Sequence, residues 1–342
     1  MALVNFGKTP DGDTVWMAPL NAGGVKVEVI SFGATVHRIL APDRSGKMAD
    51  VVLGKDDMDG YASRGAPSAS VIGRVANRIK NGFTINGQKY VLGANEQNIT
   101  LHGGRGNYAR KNFAVVEATD KLVRLAMRDK GDGGFPGEVS LEVCYSLGDD
   151  GTLLINYTAV PTMDTPINLT NHIYFNLAGQ ETGTVYGQTI KIDADFITQS
   201  DEQNVTTGEV LKVENTPFDL TSPSNLGEAI KGVIASGNIH NGFDINYVLN
   251  GTGWRKIAEA CDEASGRALE TFTDLPGVQL YTANFIREGT AGKDGAAYQN
   301  HSGFCLETQY FPDTINKPHF PGGIAYAGKV YSTSTAYRFF VK

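Results

Sequence analysis

NLTNHIYFNL, residues Asn168 to Leu177, sets apolar Ile173, Phe175 and Leu177 in alternation with His172, Tyr174 and Asn176. That is the two-residue period of a half-buried strand. Carried back toward its start, the same period places Asn168, Thr170, His172, Tyr174 and Asn176 in one row. A polar row on a strand with a greasy reverse side is either a solvated edge or the floor of a polar pocket. We read it as a pocket floor, with His172 as its working residue.

The surrounding sequence favours strands. Of 342 residues, 41 are glycine, about 12% against roughly 7% in average usage. The apolar runs are short and closely spaced. Strand-like segments recur at Val25 to Phe32, Phe113 to Thr119, Lys121 to Met127, Val139 to Leu147 and Thr152 to Val160, the last two joined by the turn Asp149-Asp150-Gly151. Asn86-Gly87, between Phe83-Thr84-Ile85 and Gln88-Lys89-Tyr90-Val91, is a two-residue hairpin signal. Arg255 to Cys261 and Ala268 to Asp274 read as a second hairpin. Glu209 to Val213 reads as a strand, Gly54 to Ser70 as a loop, and NLGEAIKGVI, after Ser222-Pro223-Ser224, as a single short helix. No repeat, low-complexity tract or linker divides the chain. The expectation is one all-β domain, residues 1–342, built as a large antiparallel twisted β-sandwich with few short helices.

The totals also exclude partners. A net charge of −7 argues against nucleic acid, which needs clustered Lys and Arg. No window approaches the roughly 18 apolar residues of a membrane span. The first residues show no basic segment followed by an apolar one, so the expectation is a cytoplasmic protein without membrane association. Cys144, Cys261 and Cys305 are odd in number and far apart, which suggests reduced thiols and neither a disulfide framework nor a metal knuckle.

Several polar residues elsewhere invite a site, and each has a plain structural alternative. Arg74, Asn77 and Arg78 crowd one segment, as a solvated basic loop or as donors aimed at a ligand. His102 precedes Gly103-Gly104, as a plain turn histidine or as a ring presented where the backbone needs room. No helix pattern follows those glycines, so a phosphate cradle is a weak reading. Asp244 lies between Phe243 and Ile245, as a backbone-satisfied acceptor or a ligand-binding acid. Gln279 shares a strand face with Tyr281 and Ala283. In GFCLETQYFPD, Gly303, Cys305, Glu307 and Gln309 share one face, where Glu307 is either a cross-strand partner for a cation or a general base with a raised pKa. The glycine-rich loop Gly131 to Gly137 could overhang a site or merely connect strands.

Taken in order, GRVANRI, LHGG, NLTNHIYFNL, GFD, GVQLYT and CLETQYFPD resemble the aldose 1-epimerase (galactose mutarotase) family over essentially the whole chain. The resemblance implies a twisted β-sandwich whose open cleft holds a sugar. It implies no organic cofactor and no metal. It carries the family's catalytic acid onto His172 and its catalytic base onto Glu307. His102 matches a substrate contact near the reacting centre, and Asn77, Arg78, Asp244 and Gln279 match positions that bind sugar hydroxyls. Gly133 stands where relatives often carry an acidic residue, which leaves open whether the Gly131 to Gly137 loop acts as a lid.

The implied activity interconverts the α and β anomers of free aldoses such as galactose and glucose. Opening the hemiacetal removes a proton from the C1 hydroxyl and adds one to the ring oxygen, so one base and one acid must act together. An ionised Glu and a protonated His would meet that demand. Two alternatives remain: a non-catalytic carbohydrate-binding sandwich, which needs no acid and base, and a hexose-6-phosphate 1-epimerase, which needs cations around the phosphate. A glycosidase would need two matched carboxylates. The expected partner is one aldose sugar, with the chain a monomer or homodimer.

Overall fold

The structure, a computed structural model, describes residues 2–63 and 68–342. Among these are 27 strands and two α-helices, and every pairing between strands is antiparallel. The expected all-β class holds. The backbone is a nine-stranded sheet whose first four neighbours, Ala114–Ala118, Leu122–Asp129, Val139–Leu147 and Thr152–Pro161, follow chain order. The carboxyl-terminal strand Tyr331–Val341 then inserts beside Thr152–Pro161, and Arg267–Thr273 pairs with its other edge. Arg255–Asp262, Gln188–Ile192 and Ser224–Asn225 complete the sheet.

Alternation decides which way this sheet faces. Val139, Leu141, Val143, Tyr145 and Leu147 are buried, as are Leu153, Ile155, Tyr157 and Ala159 on the neighbouring strand, while the residues between them reach toward solvent. This apolar face meets a five-stranded sheet ordered Thr206–Lys212, Phe196–Ser200, Asp244–Val248, Gly277–Tyr281 and Cys305–Gln309. Ile245, Tyr247, Val278, Leu280 and Leu306 point into the same apolar cluster. Polar pins cross between the sheets as well: the Tyr337 hydroxyl donates to the Leu306 carbonyl at 2.8 Å, and Thr308 and Thr335 share a hydrogen bond. The result is the expected sandwich, with a second five-stranded sheet formed by the strands from Val4–Lys8 to Met48–Asp50.

The local turn signals hold too. Asn86 and Gly87 have φ of 50° and 77°, the left-handed pair a tight hairpin needs, and Phe83 faces Tyr90 across it. The helix is Leu226–Ala235, capped by Asn225, whose side chain accepts from the Glu228 amide at 2.9 Å. The loop expected from Gly54 to Ser70 contains a short helix, Met58–Ala62. Asp57 caps it by accepting from the Gly60 amide, a local signal that the Gly- and Asp-rich composition hides. Residues 64–67 of that stretch lie outside the described residues.

Asn168 to Leu177 is not one continuous strand. Only Thr170–Asn171 forms a regular pair, with Val71–Ile72, while Phe175 bridges Val52 on one side and Phe304 on the other. The reason lies in its amides, which bond to neighbouring elements. Asn168 donates to the Tyr310 carbonyl and accepts from the Tyr310 amide. Asn171 donates to the Tyr157 hydroxyl and accepts from that of Tyr337. Asn176 donates to the carbonyls of Ser302 and Gly183. The segment is stitched edge to edge between the two sheets.

Phe175 is fully buried, with its ring centroid 5.0 Å from Tyr337 and 5.9 Å from Phe304. Truncating Phe175 to Ala should cost about 3–5 kcal/mol in urea unfolding, and a loss below about 1 kcal/mol would show that this segment does not hold the sheets together.

Candidate active site

Strand register builds the floor of a cleft. Across the three neighbouring strands, Asp244 lies opposite Tyr281, which lies opposite Cys305, and Asn246 lies opposite Gln279, which lies opposite Glu307. Directly opposed residues share a face. The six side chains therefore form two polar rows, while Ile245, Leu280 and Leu306 turn to the core on the reverse side.

Amide hydrogen bonds fix this floor in one direction. Gln309 donates to Gln279 Oε1 at 3.2 Å and to Asn246 Oδ1 at 3.0 Å. With its oxygen so engaged, Gln279 turns its Nε2 to Asp244 Oδ1, at 2.7 Å. Asn204 donates to the other carboxylate oxygen of Asp244 at 2.5 Å. Both oxygens of Asp244 are thus held while it borders the cleft.

His172 and Tyr174 supply one wall, and they alone of the expected polar row face the cleft. Asn168, Thr170 and Asn176 are buried, and the two asparagines are spent on the stitching described above. The pocket-floor reading is corrected accordingly: sequence period marks the side of a chain, and the side holding the three was covered by neighbours. The imidazole of His172 stacks on Tyr174, centroids 4.7 Å apart at 18°, with the rings of Tyr281 and His102 edge-on at 5.8 and 5.5 Å. Its Nε2 lies 3.5 Å from Glu307 Oε1, and Cys305 Sγ lies 3.3 Å from its Nδ1.

A strained corner completes the cleft. Asn77 and His102 both adopt left-handed backbone, φ 60° and 54°, and clasp each other. The His102 amide donates to the Asn77 carbonyl at 2.9 Å, and the Asn77 amide donates to His102 Nδ1 at 3.2 Å. Gly103 must be glycine, since a Cβ there would run into the Gly73 carbonyl. Arg78, next along, pairs through Nε with Glu96 at 3.2 Å. Arg74 is a different matter. It is 1% exposed and binds Asp129, Thr165 and the carbonyls of Pro136 and Gly137, so it anchors the glycine-rich loop from beneath.

All seven residues singled out from sequence, Asn77, Arg78, His102, His172, Asp244, Gln279 and Glu307, line one cleft of about 330 Å³. That is at the small end of the range for small-molecule sites. Glu96, Leu101, Tyr174, Tyr281 and Phe285 also line it. Tyr281 is signalled by its place two residues from Gln279; Glu96, Leu101 and Phe285 carry no local signal. No residue of the Gly131 to Gly137 loop is among them, and the Gly93 amide donates to the Gly133 carbonyl. A wider depression of about 610 Å³ adjoins the cleft and shares Phe285, but its only carboxylate, Glu288, is exposed.

Burial controls the protonation of the cleft. Desolvation pushes the Glu307 carboxyl well above the usual range, Asp244 adds to that, and Arg78 opposes it. Desolvation also lowers His172 to about 4 and His102 well below its ordinary value, with His172 and Arg78 adding to the effect on His102. Asp244 is raised by burial against the pull of Arg78. Both shifts move the proton shared by the Glu307 and His172 pair toward the carboxyl. Burial works against the ionised Glu and protonated His expected from sequence, an influence set by packing that the sequence does not reveal.

His102, His172 and Glu307 bring one ligand atom each within 4.8 Å of one another. His102 fits a resident cation poorly. Its Nδ1 accepts a backbone N–H, so its own proton belongs on Nε2, the nitrogen a metal would need bare.

The matching family model, described as aldose 1-epimerase, covers residues 19–338. Galactose mutarotase from Bos taurus is 40% identical over 340 residues, covering 98% of this chain and 97% of its own length. Aldose 1-epimerase from Haemophilus influenzae is 33% identical, covering 96% of this chain and 97% of its own. Among solved structures, a GalM/aldose epimerase homologue from C. elegans superposes with a TM-score of 0.88 at 28% identity, over 95% of this chain and 98% of that one. The chain belongs to the aldose 1-epimerase family.

Proposed function

We propose that the cleft opens and recloses the ring of a free aldose, galactose or glucose, and so interconverts its α and β anomers. Glu307 takes the proton of the C1 hydroxyl and His172 protonates the ring oxygen. The free aldehyde then turns about its C1–C2 bond, and the two residues reverse roles as the ring closes. The observation that carries this reading is a buried carboxylate 3.5 Å from a largely covered imidazole in a cleft also lined by groups that can bind hydroxyls. A carbohydrate-binding module needs the latter and has no use for the former.

The influence of burial on this pair fits the cycle. A neutral Glu307 carboxyl beside a neutral imidazole is the state reached after ring opening, when the base has gained its proton and the acid has lost one. Burial thus favours the open-chain stage. A bound closed ring requires the charge-separated arrangement, which Arg78 supports by opposing the rise in the Glu307 pKa. Asp244, Gln279, Asn77 and Arg78 would hold the non-reacting hydroxyls, and His102, with Nε2–H free toward the cleft, would donate to an oxygen at the reacting end. A sugar phosphate is disfavoured because Arg78 is the one Lys or Arg among the described lining residues and already pairs with Glu96. The apolar cluster running from Ala18 to Phe339 supports one domain. The three free thiols fit a reducing compartment such as the cytosol, and no described helix is long and apolar enough to cross a membrane.

Polarimetry on freshly dissolved α-galactose and α-glucose tests the activity directly. Glu307→Gln and His172→Asn should each lower kcat by about 100- to 10,000-fold; near-native turnover in either variant would sink the assignment. Arg78→Lys loses the planar fork and should raise KM at least as clearly as it lowers kcat.

Two further outcomes follow from burial. Because His172 is held at about 4, the pair keeps a single proton from about pH 4 up to the raised value of Glu307. The kcat/KM profile, corrected for the spontaneous reaction, should fall on the acid side near pH 4 and on the alkaline side at the raised value of Glu307, with a plateau between; an acid limb near 6.5 would contradict it. Glu307, raised above its unfolded value of 4.5, contributes stability that is complete below that pH and lost as pH rises through the folded value. Glu307→Gln should therefore raise the melting midpoint at pH 8 while lowering turnover, whereas a lower midpoint would mean that the carboxylate is stabilised in the fold.

A further inference from the structure

The proton exchange assigned to His172 Nε2 depends on what the other ring nitrogen does. A histidine holds its proton on the nitrogen whose N–H has an acceptor, so the partner at Nδ1 sets which tautomer is present. His172 has an unusual partner there. Backbone carbonyls and carboxylates are the common choices, yet the atom facing Nδ1 is the sulphur of Cys305, at 3.3 Å. Its own backbone carbonyl is the other polar group that reaches the ring; among the described residues Tyr174 covers one face, and Tyr281 and His102 meet it edge-on. Its opposite nitrogen faces Glu307.

Cys305 is placed for this contact by the same strand that carries Glu307. Two residues apart in a strand, they share a face, and both are buried, at 0% and 3% exposure. Cys305 lies directly opposite Tyr281, whose ring meets His172 edge-on. One strand thus delivers the carboxyl to Nε2 and the sulphur to Nδ1.

We propose that Cys305 is a positioning residue for His172, its sulphur accepting the Nδ1–H so that Nε2 is the one nitrogen that gains and loses a proton in the cleft. The inference rests on the reading of His172 as the acid. Without the sulphur, Nδ1–H keeps only the ring's own backbone carbonyl as acceptor, and the neutral ring shifts toward placing its proton on Nε2, where a Glu307 oxygen accepts it. That tautomer cannot take the proton back from the open-chain sugar, and the cycle stalls on reclosure. A weak acceptor also suits the cycle better than a carboxylate, which would fix the imidazolium and oppose its giving up a proton.

The test reads the tautomer and the rate separately, using the full chain labelled with ¹⁵N. Wild type should show His172 with its proton on Nδ1 in two-bond ¹⁵N–¹H correlations near neutral pH. Cys305→Ala should shift it toward Nε2–H and lower kcat roughly 10-fold or more, with KM within about twofold. Cys305→Ser, which restores an acceptor, should recover the Nδ1–H form and most of kcat. The proposal is overturned by a wild-type ring protonated on Nε2, by an alanine variant with native tautomer and rate, or by equal losses in alanine and serine variants. Should Cys305→Ala fail to fold, the wild-type and serine spectra decide on the same terms. His172→Asn keeps the two failures apart: full activity there overturns the catalytic reading, while the tautomer comparison still judges Cys305.

Discussion

Two ionisable groups, a buried Glu307 and a largely covered His172, are held 3.5 Å apart. Desolvation is the largest influence on both, raising one and lowering the other. A carboxyl and an imidazole in water near neutral pH sit at least two pH units apart, with the carboxyl the stronger acid. Burial brings their proton affinities together and even past one another. Proton exchange between either group and a bound oxygen then lacks a steep thermodynamic step, and matched affinities are what a reversible acid–base cycle requires.

Keeping such a pair buried demands a rigid frame. The polar floor is fixed by antiparallel register and by a one-way chain of amides ending on Asp244. The wall is fixed by a segment whose asparagines bond into both sheets. Neither device uses a flexible loop, and the cleft-facing corner at Asn77 and His102 is clasped by reciprocal backbone and ring contacts. Groups held by such a frame need little reorganisation when a ligand arrives.

Much of this was legible in the residues. Alternation located the strands of the large sheet, Asn86-Gly87 located its hairpin, and the resemblance carried by GRVANRI, LHGG, NLTNHIYFNL, GFD, GVQLYT and CLETQYFPD named seven positions that share one cleft. What escaped was non-local. Tyr331–Val341 joins the two halves of the nine-stranded sheet, yet its Ser, Thr and aromatic residues look like any surface strand until its neighbours are known. Asn168 and Asn176 had the period of pocket residues and turned out to serve as stitches. Asn204, far from Asp244 in sequence, grips it through a loop with no motif. The protonation of Glu307 and His172 escaped for the same reason, since depth of burial belongs to the packing of several elements and not to any one of them.

The same burial explains why the scaffold is so large for so small a cleft. Each buried polar group costs stability unless it is hydrogen-bonded, and the floor alone holds Asn246, Gln279, Glu307 and Gln309 at 4% exposure or less. Hydrogen bonding does not cover all of it: Asn246 Nδ2 and Gln309 Oε1 are left without partners. The offset comes from the reverse side of the very same strands, where Ile245, Leu280 and Leu306 enter the apolar cluster with Phe175 and Tyr337. A single sheet with one polar, dehydrated face could not stand alone. Backed by a nine-stranded sheet, it holds a carboxyl and an imidazole in a protonation state that water would not permit.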